Sequence, residues 1–196
     1  MSKIKFTTKD AIQIGIYTAI YFVVSAVAGS IGYIPILYPL APFLIAVVGG
    51  PIFFFFLRKV NHFGMITLLS TLCGAILALT GHGIYSLLAG VVIGLLADYI
   101  CYKGDFRTFR TILFSYAIFS LTMASSFFPM LLAADSFYKD IGSMMSEEYA
   151  SELQTIMQDW VFILVFVGAF VGGLIGAFLG RAVTRKRFSK GEAFKA

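Results

Sequence analysis

Four stretches of the chain carry no Asp, Glu, Lys or Arg: Ala11 to Leu57, Val60 to Ala97, Thr111 to Ala134 and Trp160 to Gly180. A helix that crosses a bilayer needs about 20 residues at a rise of about 1.5 Å each. The first two stretches are roughly twice that length and are expected to hold two crossings each; the last two hold one each. Breaks fall where such a division needs them. Gly29, Gly32, Pro35, Pro39 and Pro42 interrupt the first stretch. Proline lacks the donor that a helix interior uses and disfavours helix in the residue before it. Thr80-Gly81-His82-Gly83 is the turn-like cluster of the second stretch. The predicted spans are roughly 10–29, 36–57, 63–80, 84–102, 109–131 and 160–180. They define an all-α integral membrane protein of six transmembrane helices, a single membrane domain over residues 1–196.

Composition agrees with the pattern. The chain is 59% hydrophobic and 13% charged, against about 25% charged residues in soluble domains. That excludes a soluble enzyme, a nucleic-acid binder and a disordered regulator. The first span has a basic start, but no small-residue cleavage site ends it and another apolar run follows, so it is read as a membrane helix rather than a cleaved signal. Cys73 and Cys101 form no metal or redox spacing and read as unpaired thiols.

The net charge of +5 is explained by where the cations fall. Lys3, Lys5 and Lys9 precede the first span; Arg58 and Lys59 follow the second; Lys103, Arg107 and Arg110 separate the fourth and fifth; Arg181, Arg185, Lys186, Arg187, Lys190 and Lys195 follow the sixth. With six spans these all share one side, and only Lys139 falls opposite. Lys and Arg accumulate on the cytoplasmic side, so both termini are expected there. The outer loop, 132–159, is acidic, with Asp135, Asp140, Glu147, Glu148, Glu152 and Asp159. Ile141, Met145, Tyr149, Leu153 and Ile156 or Met157 recur in it at helical spacing, and Ser146 before Glu147 and Glu148 suits a helix start. A short amphipathic helix is predicted there, either resting on lipid headgroups or covering an outward-facing cavity.

Catalytic equipment is sparse. The spans hold almost no ionisable groups of the kind that mark an ion path. Asp98 near the end of span four and Asp10 at the start of span one read as structural. The sequence carries no Walker A pattern, zinc-binding helix motif or nucleophile elbow. No intrinsic cofactor and no enzymatic activity are expected.

Small residues are more informative. Span one carries Ala11, Gly15 and Ala19, and span six carries Gly168, Gly172, Gly176 and Gly180, each at intervals of four. Such rows let another backbone approach closely, from the same bundle or from a separate membrane partner. His82, between two glycines at the outer end of span three, either caps a turn or contacts a substrate, since neutral imidazole binds metals and hydrogen-bonds solutes. His62 reads as a structural residue of the cytoplasmic loop. Phe53 to Phe56 are expected to face lipid or a partner near the inner leaflet. Tyr33, Tyr38, Tyr85, Phe127, Phe128, Tyr138, Tyr149 and Trp160 gather toward the outer face, as an interfacial belt or as an aromatic pocket.

The sequence resembles the substrate-binding S component of energy-coupling factor (ECF) transporters, and within that group the Trep_Strep, or MptD-like, family. The resemblance covers nearly the whole chain and rests on Thr7-Thr8-Lys9-Asp10, Gly49-Gly50-Pro51-Ile52-Phe53, Thr80-Gly81-His82-Gly83, Gly94-Leu95-Leu96-Ala97-Asp98 and Leu179-Gly180-Arg181. It implies a bacterial plasma-membrane protein that binds a micronutrient from outside. It implies as partners a transmembrane coupling subunit with two cytoplasmic ATPases, and delivery by toppling of the S component in the membrane. Docking through the small-residue row of span one is implied for Ala11, Gly15 and Ala19, where Gly15 departs from the common alanine. Haem is the substrate implied by similarity to systems of this kind, with His82 as ligand to its iron and Tyr85, Met123 or Met130 completing the site. The alternative is a self-sufficient secondary transporter of a small hydrophobic or aromatic solute.

Overall fold

A computed structural model describes residues 6–187. Lys3, Lys5, Lys190 and Lys195 lie outside the described residues, as do the side chains of Lys186 and Arg187. The described chain is helical, with no β-strand: α1 (Thr8–Gly29), α2 (Ala41–Lys59), α3 (Met65–Leu77), α4 (Gly83–Tyr102), α5 (Phe109–Phe119), α6 (Leu121–Ala124), α7 (Phe128–Leu132), α8 (Ala134–Met144), α9 (Glu147–Ile156) and α10 (Asp159–Arg187). Among the described residues five helical stretches are long and apolar enough to cross a membrane: Thr8–Tyr33, Pro35–Lys59, Met65–Tyr102, Phe109–Leu132 and Asp159–Arg185.

The third stretch contains a reversal. Thr80 and Gly81 leave helical geometry, and Gly81 (φ 99°) and Gly83 (φ 67°) take backbone conformations that favour glycine. Beyond them α4 runs back along α3. Gly74 lies against the Ser86 carbonyl, Gly90 against that of Ser70, and Gly94 against Thr67. The glycines let the two backbones touch.

The ends of the helices are tied by side chains. Thr7 and Asp10 form a reciprocal cap at the start of α1: Asp10 N donates to Thr7 Oγ1 (3.2 Å) and Thr7 N donates to Asp10 Oδ2 (2.9 Å). His62 Nε2 lies 3.4 Å from Asp10 Oδ2, joining the α2–α3 loop to α1. Asp98, fully buried at the end of α4, accepts from Gly64 N (2.7 Å), Thr67 N (3.1 Å) and Thr67 Oγ1 (2.9 Å), so it caps α3 from a neighbouring helix. Asp10, Asp98 and His62 are thus structural. Arg181 lies 4.1 Å over the Phe109 ring. The ends of α2, α4 and α10 therefore meet the starts of α1, α3 and α5 at one end of the bundle, where the described cations other than Lys139 gather.

The predicted second and fifth spans agree in extent with Pro35–Lys59 and Phe109–Leu132; their internal structure, and two further expectations, differ. The second span opens at Pro35, next to the predicted 36, but its first turns, Pro35–Leu40, with Pro35 and Pro39, form a tighter 3-10 helix and α2 itself begins at Ala41. The fifth span is broken into α5, α6, a 3-10 turn (Ser125–Phe127) and α7. Ser120, Ser125 and Ser126 each turn a hydroxyl back to a carbonyl three residues earlier. Pro129 has no N–H to offer the Ser125 carbonyl, which accepts instead from Phe128 N in the 3-10 turn, with Ser86 Oγ at 3.4 Å. The outer loop holds two helices rather than one. Ser146, extended at φ −169°, separates α8 from α9 and accepts from Tyr149 N (3.1 Å), so the predicted start at Ser146 is present but opens the second helix of a pair.

The fourth correction concerns the phenylalanine run. Phe53, Phe54 and Phe56 are fully buried rather than facing lipid or a partner. Phe53 packs on Tyr116 (4.9 Å between ring centroids) and Phe119 (5.0 Å), and Phe119 on Tyr21 (5.3 Å). An apolar solvent draws no helix inward, so burial follows close packing instead of polarity. That packing is set by α10. Gly172 meets the Phe43 carbonyl, Gly176 the Ala46 carbonyl, Gly180 the Gly50 carbonyl and the Phe54 ring, while Gly50 abuts the Gly176 backbone. Gly168 is looser, with Phe43 Cβ 3.8 Å from where a Cβ would stand. A second core under the outer loop joins Phe127, Met130, Phe137, Leu153, Met157, Phe162 and Val165.

Candidate functional site

At the end of the bundle opposite the cations lies a cavity of about 510 Å³, within the usual range for small-molecule sites. Its walls come from six parts of the chain. The last turns of α1 supply Phe22, Ser25 and Ala26; the 3-10 segments before α2 supply Gly32, Tyr33 and Tyr38; α2 opens with Pro42 and Ile45. Leu77, Thr80 and His82 come from the α3–α4 reversal, and Met123, Ser126 and Phe127 from the broken fifth span. Ile141, Met144 and Met145, with Tyr149 and Leu153 of α9, form the outer wall. The amphipathic helices of the outer loop thus cover a cavity with their apolar side. The hydroxyl of Tyr149 donates to the Gly32 carbonyl and fastens α9 to the α1–α2 connection.

The four residues expected to contact substrate divide. His82 and Met123 both line the cavity. Tyr85 does not; it sits on the outside of α4, 37% exposed. Met130 does not either; it is packed in the core beneath the outer loop. Tyr85 follows the α3–α4 reversal and Met130 the 3-10 turn at Ser125–Phe127.

The His82 ring has a defined setting. Nδ1 lies 3.3 Å from the Leu77 carbonyl and 3.4 Å from Thr80 Oγ1. A proton on Nδ1 satisfies the carbonyl and leaves Nε2 with a lone pair. Among the described residues no group of three His, Cys, Asp or Glu side chains could hold a metal ion, and Cys73 and Cys101 are buried free thiols. No aspartate, glutamate, lysine or arginine is among the described residues that line the cavity. Sequence reasoning missed Phe22, Ser25 and Met144; it named Ile141, Met145, Tyr149 and Leu153 as the apolar face of the outer-loop helix, and all four line the cavity.

The two small-residue rows also divide. On α1, the buried face is Ile14, Thr18, Tyr21 and Ser25, and Ala11, Gly15 and Ala19 lie on the exposed face. A Cβ on Gly15 would meet nothing within 4 Å. On α10, Gly172, Gly176 and Gly180 are occupied by α2 and are not available to another protein.

Helices whose outward sides are this apolar, from Ile12, Ile16 and Ile20 on α1 to Ile163, Val167 and Val171 on α10, define an integral membrane protein. The chain belongs to the family described as hypothetical bacterial integral membrane protein (Trep_Strep), whose pattern matches residues 8–190. Comparison with curated proteins and with solved structures finds no match.

Proposed function

We propose that this protein is the substrate-binding membrane subunit of an ECF-type importer. It takes a micronutrient into the outer cavity and docks on a transmembrane coupling subunit driven by two ATPases. In this reading α3 and α4 are separate crossings, which makes six, and both termini lie in the cytoplasm of a bacterium, by the side on which the cations gather. The observation that carries the reading is the division of labour on α1: its inner face lines the cavity at Phe22 and Ser25, while Ala11, Gly15 and Ala19 stand open on the other. A helix with a flat, unpacked row of small residues suits close approach of a second membrane protein. The test is Gly15→Leu with Ala19→Leu. Loss of copurification with the coupling subunit, with a folded protein, supports the reading; intact assembly overturns it. Uptake by cells that lack any coupling module would favour the self-sufficient secondary transporter.

Haem is a second reading for the substrate, favoured by His82 alone, whose Nε2 is free to hold the iron. Its carboxylates would have to stay at the mouth, since no cation lines the cavity. An absorption spectrum of purified protein given haemin, wild type against His82→Ala, decides it. An unchanged Soret band in the variant removes His82 as ligand, and no binding by wild type removes haem.

A further inference from the structure

Four of the polar side chains in the cavity wall are spent internally. Ser30 Oγ donates to the Val27 carbonyl (2.8 Å), Thr80 Oγ1 to that of Ile76 (3.0 Å) and Ser126 Oγ to that of Met123 (2.8 Å). Tyr149 is engaged by Gly32. Ser25 differs. It lines the same cavity, is 5% exposed, and its Oγ has no hydrogen-bond partner. Serine in a helix ordinarily closes on a carbonyl of the preceding turn, as its neighbours here do. A buried hydroxyl left open costs more than it returns unless something else completes it.

We infer that Ser25 is a ligand-contacting residue, and that the cavity takes an uncharged, ring-containing solute that offers one hydrogen-bonding group to Ser25 Oγ. The inference rests on the outer cavity being the binding site of the proposed importer subunit. The apolar and aromatic walls at Phe22, Tyr38, Ile45 and Phe127 suit a flat ring system. An ion enclosed there would lose its hydration without gaining a counter-charge. The hydroxyl can donate or accept, so it sets position and chemical identity, while the walls supply apolar burial.

Three fluorescent probes of one shape test this on the intact protein in nanodiscs: acridone, acridone-4-carboxylate and anthracene. Wild type is expected to bind acridone at least about tenfold more tightly than its carboxylate. Ser25→Ala is expected to weaken acridone about tenfold, the worth of one good hydrogen bond, and to leave anthracene unchanged. Equal binding of acridone and its carboxylate, or no binding of acridone by wild type, overturns the ligand class. An equal loss for acridone and anthracene in Ser25→Ala shows that Ser25 only shapes the cavity and overturns its contact role. Neither failure touches copurification with the coupling subunit, so the importer reading stands or falls separately.

Discussion

The hydroxyl of Tyr149 on α9 donates to the backbone carbonyl of Gly32, between α1 and α2, and so closes the outer wall of the cavity across a large gap in sequence. Tyr149→Phe removes that donor and little else. Amide exchange in α8 and α9 is expected to rise, and release of a bound probe to quicken, with the bundle unaffected. Unchanged exchange in α9 would show that Leu153 and Ala150 hold the helix by packing alone.

The same pair predicts a pH response. Burial raises the Tyr149 phenol above the usual tyrosine range. A raised acid is protonated, and its contribution complete, below the ordinary value, and the contribution is lost as pH rises through the folded one. Protection of α9 is therefore expected to be flat through neutral pH and to fall only in strong alkali. A fall near neutral pH would place the closing contact elsewhere.

Glycines on the two rows are expected to answer differently to one methyl group. Gly176→Ala forces a Cβ into the Ala46 carbonyl, and overpacking of this kind costs about 1–3 kcal/mol or more. Gly15→Ala meets open space and replaces a mid-helix glycine by the better helix former, so it is expected to leave the thermal midpoint of the purified protein unchanged or slightly raised. A destabilised Gly15→Ala would show that the α1 face is already packed.

Asp98 gives a third comparison. Asp98→Ala strips Gly64 N, Thr67 N and Thr67 Oγ1 of their acceptor at the buried start of α3, at a cost of about 1–3 kcal/mol. Asp98→Asn keeps one carbonyl oxygen and is expected to lose less. Thermal unfolding in detergent measures both, and an Asp98→Ala midpoint equal to wild type would refute the cap.

Much of the fold was legible because the signals were coarse or chemical. Charge-free stretches located the long helices, the glycines around His82 located the reversal, and Ser146 announced a helix start. The burial of Phe53, Phe54 and Phe56 was not legible, because in a membrane apolar residues face lipid and core alike, and the contact of Gly50 on α2 with the glycine row of α10 says which side packs. The break in the fifth span depends on serine hydroxyls whose rotamers a sequence does not show. The cavity draws on six separated segments; of the substrate contacts named from sequence, His82 and Met123 line it and Tyr85 and Met130 do not, a division that no sequence pattern shows. Ser25 left no signal, because its distinction is a missing partner.

The aromatic cluster has a consequence for traffic. Beside Phe22 and Ile45, the rings of Tyr21, Phe53, Tyr116 and Phe119 close on one another with almost no exposed surface. They stopper the bundle below the cavity. In the proposed importer reading, a solute held above this floor reaches the far side by tipping of the vessel rather than by a path through the bundle.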